Sequence, residues 1–205
     1  MYKKKLITIL ICLCLCLGVL PVSAAAEASS FEGKTWDDAV AELLEKYDVD
    51  GEETLVGLAY YNTVTGEEHY YNQSEYFVTA SMFKIPINML FIDKIAAGEI
   101  PENVSLGGYN YKTILDFTIL NSDNAKAELM WKYLGGYRTY REMICPYMGV
   151  EAETVEEKYW ENNYFTPQQM LHCLKMLYEG AEQYSELIDR LLQAELRMVK
   201  SRIVL

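Results

Sequence analysis

Between Thr35 and Tyr47, apolar Val40, Leu43, Leu44 and Tyr47 recur on one helical face, with polar residues between them. Thr35 stands where an N-cap belongs, Asp37 and Asp38 fill the first turn, and DVDG (residues 48–51) breaks the pattern. This predicts a surface helix with one stripe turned inward. From Leu55 to Tyr71 the period shortens to two β-rich runs around Thr65-Gly66, the pattern of an antiparallel hairpin. A helix then opens at Ser81 and ends near Gly98, with Pro86 close enough to its start to be tolerated. Two more follow, Lys112 to Leu120 and Ala125 to Leu134, joined through NSDN and closed by Gly135-Gly136. The acidic, aromatic segment Glu151 to Phe165 has no period and reads as a long surface loop. Thr166-Pro167 caps and begins a further helix whose buried face is Met170, Leu171, Leu174 and Leu177. Helix, hairpin, then helices in series is the order of an α+β domain rather than of alternating β-α-β units.

The first thirty residues stand apart. Lys3, Lys4 and Lys5 precede an apolar run, Leu6 to Leu20, and Val22-Ser23-Ala24 offers a small-residue cleavage site. Residues 1–24 are therefore expected to be a signal peptide and residues 25–205 the mature domain, secreted or held in the cell envelope. The apolar run is shorter than the roughly 20 residues of a spanning helix. Losing three lysines makes an acidic chain, with a formal net charge of −12, more acidic still, which argues against nucleic acid as a partner. Only Cys145 and Cys173 lie beyond the signal. Export would permit a disulfide between them, and two buried free thiols is the alternative.

Candidate chemistry begins at TASMFKIPINML, residues 79–90. Ser81 and Lys84, three residues apart, project from one side of a helix and can hydrogen-bond directly. A lysine kept partly neutral by burial could take the serine's proton, and a helix start supplies N–H groups for an oxyanion. Such a pair arises by chance on the order of once in a chain this long, most often as a capping serine beside an exposed lysine. Ser122-Asp123-Asn124 at a helix-to-helix joint is rarer. It too has a structural role open to it, an Asx-type turn capping the next helix. Functionally, Ser122 could relay a proton to a leaving group, Asn124 could bind a substrate amide or Lys84, and Asp123 would face inward.

Together, these motifs and the sequence between them resemble the class A β-lactamase-like branch of the serine β-lactamase and penicillin-binding-protein superfamily. The resemblance runs from about Leu55 to Tyr178. It implies a helical lobe beside an antiparallel sheet, with Ser81 as acylated nucleophile, Lys84 as its base, Ser122 as proton shuttle and Asn124 as substrate-side hydrogen-bond donor. It implies no cofactor and no metal, a monomer, and a β-lactam or a peptidoglycan stem peptide as substrate.

Three departures from that pattern matter. The stretch from Ser81 to Ser122 is short for the family, which implies a trimmed helical lobe. No glutamate precedes an asparagine by four in VEEKYWENNYFTP, where a deacylating glutamate is expected; Glu157 is the nearest substitute, Glu161 stands at another offset, and a solvated acidic loop is the plainer reading. No lysine after SDN begins the family's third motif, lysine, serine or threonine, glycine. The last sheet strands are expected to be missing, as in a truncated or frameshifted member, leaving the hairpin an exposed edge.

A histidine-based hydrolase finds no support, since His69 falls in the hairpin, His172 in an ordinary helix where it would be half-buried, and GxSxG is absent. Three functions stay open: a β-lactam hydrolase with turnover, a D,D-peptidase-like penicillin binder with slow deacylation, and a catalytically dead secreted binding module.

Overall fold

The computed structural model describes residues 33–47, 49 and 56–203. The expected signal peptide lies outside the described residues. Those residues are α+β: seven α-helices, short 3-10 turns and three two-stranded antiparallel sheets. They divide into two compact units, residues up to 75 with 166–171, and residues 76–165 with 172 onward.

In the first unit, α1 (Trp36–Lys46) begins as its sequence requires. Thr35 Oγ1 accepts from Asp38 N–H while the Asp38 carboxylate accepts from Thr35 N–H, a reciprocal capping box. The hairpin pairs β1 (Leu58–Tyr61) with β2 (Glu68–Tyr71), Tyr60 opposite His69. Its turn is set by Asn62, whose Oδ1 accepts from Val64 and Thr65 N–H at 2.9 and 3.2 Å, with Gly66 at positive φ. Trp36 lies against Tyr60 and His69, with ring centroids 6.0 and 5.4 Å away, and donates its indole N–H to the Tyr70 carbonyl at 3.0 Å. The hairpin, too small to be stable alone, thus packs against α1. Thr166 and Gln169 cap the start of a later helix reciprocally, each side chain accepting from the other's backbone N–H.

The second unit starts at β3 (Phe77–Val78) and a 3-10 turn, Ala80–Phe83, that leads into α2 (Lys84–Ala96). This corrects one expectation: Ser81 sits in the 3-10 turn, and the α-helix opens at Lys84. Residues 84 and 86–91 are all buried, so α2 is apolar around most of its girth and runs through the core. A β4–β5 ribbon (Ser105–Leu106 and Tyr109–Asn110) leads to α3 (Tyr111–Leu120), and then come α4 (Asn124–Tyr133) and α5 (Tyr137–Met143). α3 is the axle, touching α2, α4 and the last helix. The core gathers Ile87, Met89, Phe91, Ile114, Leu115, Met130, Tyr140 and Leu187.

The segment expected to be a surface loop is only partly one. Its 3-10 turn, Glu157–Trp160, buries Tyr159, and it ends in β6 (Tyr164–Phe165), which pairs antiparallel with β3. Aromatic residues decided this: Tyr159 and Phe165 have large apolar faces that a solvated loop would leave wet. α6 (Pro167–Glu179) and α7 (Ser185–Ile203) complete the elements of the described residues. Met170, Leu171 and Leu177 of the expected α6 face are buried and Leu174 is half-buried; His172 is exposed rather than half-buried, with Nδ1 3.1 Å from the Tyr147 carbonyl. Cys145 and Cys173 are buried free thiols.

Candidate active site

Ser81, Lys84, Ser122 and Asn124 meet in the second unit, although 41 residues separate the two serines. β3 and the 3-10 turn deliver Ser81, exposed, one residue after Ala80, which is held at φ 46°. Lys84, at the first turn of α2, is 1 % exposed. Ser122 ends α3 in the left-handed region, φ 53°, and Asp123 N–H turns back to the Phe117 carbonyl at 3.0 Å. Asp123 then caps α4 by accepting from Lys126 N–H at 3.0 Å, which places Asn124 at that helix's first position. Ala80 beside the cluster and Ser122 within it thus both lie in the left-handed region, each unfavourable by about 1 kcal/mol or more. Neither position was legible in the sequence, because alanine and serine carry no φ signal of their own.

Lys84 Nζ is the hub. It lies 2.7 Å from the Ser122 carbonyl, 2.7 Å from Asn124 Oδ1, 3.0 Å from Ser81 Oγ and 3.0 Å from Ser122 Oγ, and the two hydroxyls are 2.5 Å apart. Two of these four neighbours, the carbonyl oxygens, can only accept. In a neutral amine they claim both N–H groups, which leaves the nitrogen lone pair turned toward the two hydroxyls. Burial pulls the Lys84 pKa below the ordinary lysine range, and the Asp123 carboxylate pulls in the opposite direction. The arrangement can therefore accept a proton from Ser81 and return one through Ser122.

Residues 36–106, which include Ser81 and Lys84, match the model of the β-lactamase enzyme family. No curated protein matches the chain. Among solved structures it is similar to the ancestral class A β-lactamase of Gram-negative bacteria, at 19% identity over 75% of this chain and 69% of that one, TM-score 0.58. A variant of that ancestor gives 20% identity, 74% and 69% coverage and a TM-score of 0.59. A mutant of the chromosome-encoded β-lactamase of Vibrio parahaemolyticus gives 19%, 71% and 68%, and 0.54. The chain has the class A β-lactamase fold.

Within that β-lactamase fold, the carboxylates of the 157–165 segment make no hydrogen bond to the lysine hub. Glu157 is exposed, and Glu161 is paired with Lys158 at 2.7 Å. Among the described residues no carboxylate hydrogen-bonds Ser81 Oγ or Lys84 Nζ. The segment itself runs beside the nucleophile: the Asn163 carbonyl accepts from Thr79 N–H at 3.0 Å and Thr79 Oγ1 at 2.9 Å, two residues before Ser81. Arg141 holds it there. Fully buried between the rings of Tyr159 and Phe165, it donates through Nη2 to the Tyr159 and Tyr164 carbonyls at 2.5 and 2.8 Å. Sequence reading missed Arg141, since an arginine in YRTYREM looks like any solvated helix residue.

Proposed function

We propose that this protein is a serine acyl-transferring hydrolase that opens β-lactam amides through an acyl-Ser81 intermediate. One observation carries the reading: a buried Lys84 whose Nζ lies 2.7 Å from two carbonyl oxygens and 3.0 Å from both the Ser81 and the Ser122 hydroxyl. As Ser81 Oγ attacks the amide carbon, its proton passes to Lys84 Nζ. The Ser81 N–H, in the first half of the 3-10 turn, donates to the tetrahedral oxyanion in this reading. When the carbon–nitrogen bond breaks, the leaving nitrogen takes the Ser122 hydroxyl proton, and Lys84 replaces it across 3.0 Å. The acyl group stays on Ser81 until water removes it. Asn124, with Oδ1 committed to Lys84, keeps its amide N–H groups for the substrate.

A second reading, slow deacylation in the manner of a D,D-peptidase-like penicillin binder acting on stem peptides, is favoured by the loop carboxylates. Glu157 is exposed, Glu161 is paired with Lys158, and neither hydrogen-bonds Ser81 or Lys84, which supports slow activation of water at the ester. Intact-mass measurement after incubation with a penicillin tests both. The expected result is one penicillin added to the protein and none to Ser81→Ala; an adduct that persists for hours favours the penicillin binder, and one that clears favours the β-lactamase. A folded protein that gains no mass would instead indicate a binding module without the chemistry. The signal-like start supports a protein that works outside the cytoplasm.

A further inference from the structure

α2 is buried along residues 86–91, yet one residue in that stretch, Asn88, is an amide with no exposure at all. An amide in such surroundings is unfavourable unless its polar atoms are bound, and a leucine would fill the same space without that requirement. Every polar group of the Asn88 side chain is bound. Its Nδ2 donates to the Lys84 carbonyl at 2.7 Å and to Thr118 Oγ1 at 3.2 Å. The Tyr111 hydroxyl lies 3.1 Å from the Asn88 carbonyl and 3.3 Å from its Oδ1. Tyr111 begins α3 and Thr118 lies two turns further along it, four residues before Ser122. One side chain in α2 therefore grips α3 at two points.

The two helices carry the two halves of the candidate site. α2 holds Lys84 one turn before Asn88, and α3 delivers Ser122. The contact between Lys84 Nζ and the Ser122 carbonyl is 2.7 Å, so a slide of α3 along α2 by about 1 Å would take it out of hydrogen-bond range. Hydrophobic packing alone does not forbid such a slide, because apolar side chains tolerate small shifts that hydrogen bonds do not. We propose that Asn88 is a positioning residue for Lys84: through Thr118 and Tyr111 it fixes the register of α3 on α2, and so brings the Ser122 carbonyl and hydroxyl onto Lys84 Nζ. This rests on the acyl-transfer reading for its consequence, and on the geometry of α2 and α3 for its cause.

The groups that surround Lys84 are Ser81, Ser122, Asn124 and the Phe83 ring, all uncharged, and the Asp123 carboxylate, its one titrating neighbour among those acting on it. Loosening the register admits water to a lysine whose proton affinity is lowered by burial, so its titration moves up toward the ordinary range. The experiment is an NMR titration of the Lys84 side chain in lysine-labelled full-length protein, with Lys84→Arg to assign the signal, in the wild type and in Asn88→Leu. Single-turnover acylation by a penicillin is read in parallel. The expected result for Asn88→Leu is an upward shift of the Lys84 midpoint and acylation slowed about tenfold or more, with the melting temperature held or raised. A folded Asn88→Leu protein with the wild-type midpoint and rate overturns the proposal. If that variant does not fold, Thr118→Val, which removes one of the two grips on α3, is judged by the same two readouts. If the wild type is never acylated, the acyl-transfer reading fails, and the Lys84 titration still decides the role of Asn88.

Discussion

Replacing Asp123 by asparagine separates the two jobs its carboxylate does. It caps α4, accepting from Lys126 N–H at 3.0 Å, and it is the charge that opposes the lowering of the Lys84 pKa by burial. Asparagine caps a helix as well as aspartate, so Asp123→Asn should melt within about 2 °C of the wild type. Asp123→Ala, which loses the cap, should cost about 1 kcal/mol, or about 2–4 °C in a chain of this size. Attraction between a half-exposed carboxylate and an ammonium is worth about 0.5–1 kcal/mol, which is about a two- to fivefold change in the balance of charged and neutral lysine. Without it, Lys84 releases its proton more readily. Below its pKa the neutral fraction limits acylation, so Asp123→Asn should acylate about two- to fivefold faster there and converge with the wild type at higher pH. The assay is single-turnover labelling by a fluorescent penicillin across the neutral to alkaline range, and the gain should shrink in high salt. A rate equal to or below the wild type on the acid limb, with an unchanged melting temperature, would refute the assignment of Lys84 as the base.

Stability should carry the same signature. Lys84 binds its proton less tightly in the folded protein than in the unfolded chain, so between its lowered folded value and the ordinary lysine value of about 10.4 the unfolded state holds the extra proton. Stability then rises with pH across that window, and Lys84→Met should flatten the rise when denaturation midpoints are compared from neutral pH to about 10. The buried Tyr111 and Tyr140, whose pKa values are raised by burial, act only above about 10, where the unfolded chain loses the phenolic proton first and stability falls. In Arg141→Leu, two carbonyls lose the donor that holds the 157–165 segment against α5. Its amides should exchange about tenfold faster or more than those of the wild type, and unchanged exchange by mass spectrometry would remove Arg141 from that role.

Local chemistry along the chain determined a good part of this protein. Thr35 and Asp38 form a capping box because the two side chains are three residues apart, and that spacing is written in the sequence. The hairpin likewise needs only two β-rich runs and an Asn62 side chain able to fold back on its own turn. Lys84 and Ser81 could be paired from their spacing, and the SDN joint was marked by its rarity. That these two motifs close on each other was legible only through the resemblance to β-lactamases. No periodicity links positions 41 residues apart.

The tertiary structure decided what the spacing left open. Ser81 lies in a 3-10 turn rather than in the helix because α2 opens one turn later, at Lys84, after the left-handed Ala80 has redirected the chain. The acidic segment before α6 is tethered because Tyr159 and Phe165 bury their rings around Arg141, a contact between residues 18 to 24 positions apart. In the sequence Asn88 is one polar residue in an apolar stretch and Thr118 one threonine in a helical one. Their meaning depends on α3 lying across α2, because a hydrogen bond forms only over about 3 Å and only a folded chain brings two such atoms that close. The sequence set which side chains could do acid–base work; packing determined that Lys84 is buried and faces Ser81 and Ser122, and is therefore able to do it.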